Sequence, residues 1–105
     1  MRLPPALAAA ATPRLLELLG PPPARVLELG FAGIHAGPLR LAGFEVIVVE
    51  PDPAHAVRAR ERAGEAFAAP PGGPFDAVVA PAGADLMGID ARRILLVQRD
   101  GSVVG

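Results

Sequence analysis

The segment RVLELGFAGIHAGPLRLAGFEVIVVEPDP, residues 25–53, constrains the fold more than any other part of the chain. An apolar run at Arg25–Leu29 enters a glycine-containing turn at 30–37. Pro38 suits the first turn of a helix reaching Ala42, Gly43 suits its end, and Glu45–Val49 follows as a second apolar run. Its unbroken Ile-Val-Val stretch predicts a strand buried on both faces, as in a parallel sheet. Two parallel strands joined through a helix make a βαβ unit, here closing on Glu50, which lies 20 residues after Gly30. In that layout a tight turn approaches a nucleotide and the carboxylate holds ribose hydroxyls.

The flanking segments extend the same pattern. Thr12-Pro13 predicts a helix start with Thr12 as the cap, Leu15, Leu16, Leu18 and Leu19 supply its apolar face, and Gly20 stops it. Pro21-Pro22-Pro23 is a rigid connector. Asp52-Pro53 repeats the cap-then-proline signature and opens a helix through Ala63, with Gly64 as its stop. Val57 is its only large apolar residue, which predicts a surface helix packing through alanines. Pro70-Pro71-Gly72-Gly73-Pro74 is a loop, Phe75–Ala80 a third strand, and 81–93 a loop with at most a short helix. The terminal ILLVQRDGSVV has two apolar runs around Asp100-Gly101, a hairpin signal. Together these predict one α/β domain over residues 1–105, a shortened Rossmann-like three-layer sandwich. Its sheet is expected to be mostly parallel, of about 4–5 strands, with a C-terminal β-hairpin.

Composition excludes several functions. The 105 residues are 51% hydrophobic, but rich in alanine and with only four Phe and no Trp or Tyr, so the core must rest on Leu, Val and Ile. A net charge of −1 argues against a nucleic-acid partner. The absence of cysteine excludes disulfides and thiolate metal sites and suits a cytoplasmic protein. No apolar stretch approaches the roughly 18 residues of a membrane span. The opening MRLPPALAAAATPRLL has the Arg and Ala-rich run of a signal peptide, but its early prolines and the helix that follows at once argue against one. His35 is expected as a solvated loop histidine and His55 as a surface residue; without paired carboxylates at ligand spacing they predict no metal site.

VLELGFAG, followed by VIVVEPDP and later by FDAVVA, resembles the class I S-adenosylmethionine-dependent methyltransferases, with RLLELLG and its proline linker as that family's lead-in and a weaker echo in RDGSVV. The resemblance covers roughly residues 13–80. It implies S-adenosylmethionine as cofactor, held by Glu28, Gly30, Ala32, Gly33, Glu50 and Pro51. Glu28 would order the glycine loop and face the methionine part, Gly30 would let the backbone approach the cofactor, Glu50 would accept from the ribose hydroxyls, and Pro51 would lie against the adenine. Phe75-Asp76 would open the strand leading to a substrate-facing loop.

The departures carry as much information. The family loop G-x-G-x-G reads Gly30-Phe31-Ala32-Gly33-Ile34 here, and β-branched Ile34 is ill suited to positive φ, so the loop differs or Gly33 takes over the turn. Where the family fits a third strand and an adenine-contacting carboxylate, this chain has GEAFAAPPGGP, with Glu65 the nearest acid. No Asn-Pro-Pro-aromatic motif follows FDAVVA, and the chain is expected to end about where a fifth strand would begin. In the family order 3-2-1-4-5 the missing strand would leave EVIVV as a bare apolar sheet edge, which predicts a homodimer. Asp85 and Asp90 read as loop residues, the sole serine is Ser102 in the terminal turn, and no catalytic residue is assigned. Two functions follow: a methyltransferase of a small molecule, completed by dimerisation or a partner, or a catalytically inactive interaction module descended from that fold and acting as a homodimer. A dinucleotide fingerprint would need glycines at 30, 32 and 35, where the chain has Gly30, Ala32 and His35.

Overall fold

Valine-rich runs punctuated by proline and glycine set the element order of the structure, a computed structural model that describes residues 5–105. In chain order these are α1 (Pro5–Ala10), α2 (Thr12–Leu19), β1 (Arg25–Leu29), α3 (Ala36–Leu41), β2 (Glu45–Val49), α4 (Pro53–Ala63), β3 (Phe75–Pro81), β4 (Ala91–Val97) and β5 (Val103–Val104). Arg2 and Pro4, on which the signal-peptide reading partly turns, lie outside the described residues.

The strands form one sheet in the order β2-β1-β3-β4-β5. The first three pairings are parallel, and β5 joins β4 antiparallel through Leu96–Val104 and Val97–Val103. The fold is therefore α/β with a mostly parallel five-stranded sheet. The Asp100-Gly101 turn closes the hairpin as expected: Gly101 sits at φ 87°, and Asp100 Oδ1 accepts from the Ser102 amide at 2.9 Å. The first strand of that hairpin, β4, begins at Ala91, within the stretch 81–93 expected to be loop, and its ILLV run lies parallel to β3.

Side chains alternate across the sheet. Val26, Val46, Val48, Val79, Leu95 and Val97 face one core, shared with Ala8, Leu15, Leu39, Ala59 and Ala63 of the four helices. Leu27, Leu29, Val49, Val78 and Ala80 belong to a second core with Phe75, against which Phe67, Ala84, Leu86 and Ile89 pack from loops. No helical residue belongs to that second core, so the third, helical layer expected on this face has no counterpart among the described residues. The reason lies in the β3–β4 connection, where residues 82–90 form turns rather than a helix.

Two helix boundaries show how context edits local signals. At α4, Asp52 caps as expected, its Oδ1 accepting from the Ala54 amide at 3.0 Å, and Gly64 ends the helix with its amide bonded to the Arg60 carbonyl. At α2 the cap position is Ala11, with no side-chain cap, and Thr12 is already helical. Only Ala11 separates α1 from α2, and the Leu15 amide donates to its carbonyl at 3.0 Å, so the α1 junction moves the helix start and leaves the Thr12 hydroxyl for another partner.

The outer edge of β2 is not bare. Phe67 forms a one-residue parallel bridge to Val49, its amide donating to the Val48 carbonyl at 2.9 Å and its carbonyl accepting from the Glu50 amide at 2.8 Å. Further down the strand, Arg40 donates to the Val46 carbonyl at 2.9 Å and to Ala63 at 2.7 Å. A residual fragment of strand and one guanidinium thus occupy backbone groups that an edge strand would offer to another chain, so EVIVV is not the bare edge expected.

Candidate functional site

The loop after β1 is shaped by two carboxylates beneath it. Glu28, buried on β1, accepts the His35 amide on Oε2 at 2.6 Å. Glu50, which follows β2, is 2% exposed and accepts the Ala32 amide on Oε1 at 3.0 Å and the Asp52 amide on Oε2 at 3.1 Å. Between these anchors the chain turns through Ala32 at φ 53° and Gly33 at φ 77°. Gly33 therefore takes over the turn that Ile34 is ill suited to make. A Cβ on Gly33 would meet the Ala59 carbonyl oxygen at 3.2 Å, so the glycine also sets how closely the loop packs on α4. Ala32 accepts a left-handed conformation that costs a non-glycine residue about 1 kcal/mol or more, held by its bonds to Glu50 and, through its carbonyl, to Arg62 at 3.1 Å.

His35 contradicts the expectation of a solvated loop histidine: it is fully buried. Its Nδ1 lies 2.9 Å from the Thr12 hydroxyl, and its ring meets Phe31 edge-on with centroids 4.8 Å apart. Burial pushes His35 down from 6.5 to about 4, so the ring is neutral near pH 7. Burial likewise pushes the Glu28 carboxyl up from 4.5 to about 7, opposed by the hydrogen bond from the His35 amide and by the charges of Arg40 and Arg62. Glu28 Oε1 and His35 Nε2 are buried without a hydrogen-bond partner among the described residues. The sequence signal for this was the apolar setting of His35, between Phe31-Ala32-Gly33-Ile34 and an alanine.

Two cavities open at the C-terminal ends of the strands and share Gly30 and Pro81 as walls. One, of about 400 Å³, is lined by Leu29, Gly30, Glu50, Pro51 and Asp52 on one side and by Pro81 and residues 82–85 on the other. It lies where the chain leaves β1 for β2 on one side of the sheet and β3 for β4 on the other, the crevice in which open α/β sheets bind ligands. The second, of about 350 Å³, lies between the loop and α4 and is bordered by Phe31, Ala32, Ile34, His55, Arg58 and Arg62.

Of the residues expected to hold a cofactor, Gly30, Glu50 and Pro51 come together in the first cavity, Gly30 and Ala32 border the second, and Glu28 and Gly33 line neither. Glu28 orders the loop as expected, but it does so from inside the core rather than from a ligand-facing surface. Asp85 lines the first cavity while Asp90 and Glu65 do not. Asp76 lies at the start of β3, away from the cavities, accepting the Arg25 amide at 2.7 Å. His55 is half-exposed and pairs with Asp52 at 2.8 Å. No group of three or more potential metal ligands occurs among the described residues, and none of their helices is long and apolar enough to cross a membrane. No protein-family model matches the chain, and a search of curated proteins finds no match.

Proposed function

We propose that the chain binds S-adenosylmethionine in the 400 Å³ cleft beside Glu50 and acts as a compact Rossmann-like methyltransferase on a small molecule. The observation that carries this reading is the convergence of Gly30, Glu50 and Pro51 on one crevice at the switch point of a parallel sheet. The resemblance supports it further: β4 stands where a fifth strand is expected, and the Phe67 bridge where a third would run. A carboxylate accepts up to about four hydrogen bonds, so bracing two loops and receiving a ribose hydroxyl are compatible. Methyl transfer needs chiefly an in-line arrangement of nucleophile and methyl group, which suits a cleft without an evident acid–base pair.

A second reading, a binding or interaction module without catalysis, is favoured by the way both Glu50 oxygens already hold backbone amides. Calorimetric titration with S-adenosylhomocysteine separates the two. The proposed function predicts saturable binding with a dissociation constant below about 1 mM, and no heat of binding at that concentration would leave only the module.

A further inference from the structure

The 350 Å³ cavity on the other side of Gly30 has a chemistry of its own. On α4, His55, Arg58 and Arg62 are spaced three and four residues apart and share one helical face. All three border the cavity, together with Phe31 and Ile34 from the loop, Ala8 from α1, and Pro81. No carboxylate lines it among the described residues. Arg62 is partly committed, donating to the Ala32 carbonyl at 3.1 Å, whereas the Arg58 guanidinium makes no side-chain hydrogen bond or ion pair among the described residues. Both arginines are exposed where they border the cavity, and their like charges repel each other. An anion between them relieves it. The opposite wall, Phe31, Ile34, Ala8 and Pro81, rewards burial of a hydrocarbon or ring.

From this pairing of walls we infer that the cavity binds a small carboxylic acid, its carboxylate against Arg58 and Arg62 and its apolar body against Phe31 and Ile34. Because the cavity meets the Glu50 cleft at Gly30 and Pro81, the bound acid lies next to the cofactor; its role as the second reactant rests on the function proposed above, whereas its binding does not.

The test is a titration of the ¹⁵N-labelled full chain with benzoate and with benzamide, its neutral isostere, followed by amide chemical shifts. Benzoate is expected to shift the amides of Phe31, Ile34, Ala54 and Arg58 saturably, and benzamide to bind at least roughly tenfold more weakly, the size of one charge-assisted contact. Arg58→Gln, at an exposed position, is expected to reduce benzoate to the level of benzamide. Equal affinity for the two probes in the native chain, which needs no variant to observe, overturns the inference, as does undiminished benzoate binding by Arg58→Gln. Repeating the titration in saturating S-adenosylhomocysteine separates this inference from the nucleotide reading. Simultaneous binding supports a separate acid site, whereas displacement of benzoate overturns it and gives the arginines to the cofactor's own carboxylate. If S-adenosylhomocysteine does not bind at all, the nucleotide reading fails, while the contrast between benzoate and benzamide still decides the acid site.

Discussion

Glu28 and Glu50 end neighbouring parallel strands, point to the same face of the sheet and are both buried, yet their surroundings differ. Glu50 stands at the rim of a cleft and has an amide for each oxygen, from Ala32 and from Asp52. Glu28 lies under the loop, away from either cavity, with one amide from His35 and one oxygen without a partner among the described residues. The contrast shows that an acid at the end of a strand in a βαβ unit can serve as an internal brace or as a rim group. What separates the two is the number of backbone donors aimed at the carboxylate and the solvent beside it. Sequence position alone does not distinguish them.

The same substitution at both positions distinguishes the two roles, and the largest effect is expected at Glu50. Glu50→Gln sets an amide NH₂ against one of two backbone N–H donors, leaving that donor unsatisfied. It should cost about 2–3 kcal/mol in urea unfolding at pH 7. A loss no greater than that of an exposed Glu→Gln control would show that Glu50 does not brace the loops.

Glu28→Gln is expected to be milder, within about 1 kcal/mol of the native chain at pH 7, because the amide copies the neutral acid. Its pH dependence carries the sign. The folded chain holds the Glu28 proton up to about 7 and the unfolded chain releases it near 4.5, so the stability it confers is present below 4.5 and lost as pH rises to about 7. The stability of the native chain relative to Glu28→Gln should therefore fall across that interval. His35 acts in the opposite direction: with its folded value near 4 and its unfolded value at 6.5, stability is lost as pH falls through that range. In the native chain the two slopes offset each other between 4.5 and 6.5. In Glu28→Gln only the histidine slope remains, and stability should rise with pH from about 4 to 6.5. Parallel pH curves for the two proteins would refute the raised Glu28 value.

What the sequence made legible was whatever local chemistry dictates. The bounds of β1, β2 and α4 follow from Val-rich runs and from the Asp52-Pro53 and Gly64 punctuation, and they agree with the structure. The meeting of Gly30, Glu50 and Pro51 was legible because the βαβ connection brings the ends of adjacent parallel strands together. What was not legible depends on tertiary placement. Thr12 has a cap residue's chemistry, but Ala11, at the junction with α1, takes the cap position and His35 takes the hydroxyl. Phe67 gives no strand signal in GEAFAAPPGGP, because a single bridge needs no periodicity. His35 reads as polar, and only the packing of the loop against the helices buries it. Arg58 and Arg62 read as a solvated charged face until the loop closes a cavity against them.

The proposed cleft is tested most directly by where an adenosyl ligand binds. A map of ¹⁵N amide shifts on adding S-adenosylhomocysteine should show the largest changes at Gly30, at Glu50, Asp52 and residues 82–85, with none at Asp76 or Glu65. Shifts confined to the opposite end of the sheet, or an unchanged spectrum at saturating ligand, would contradict it.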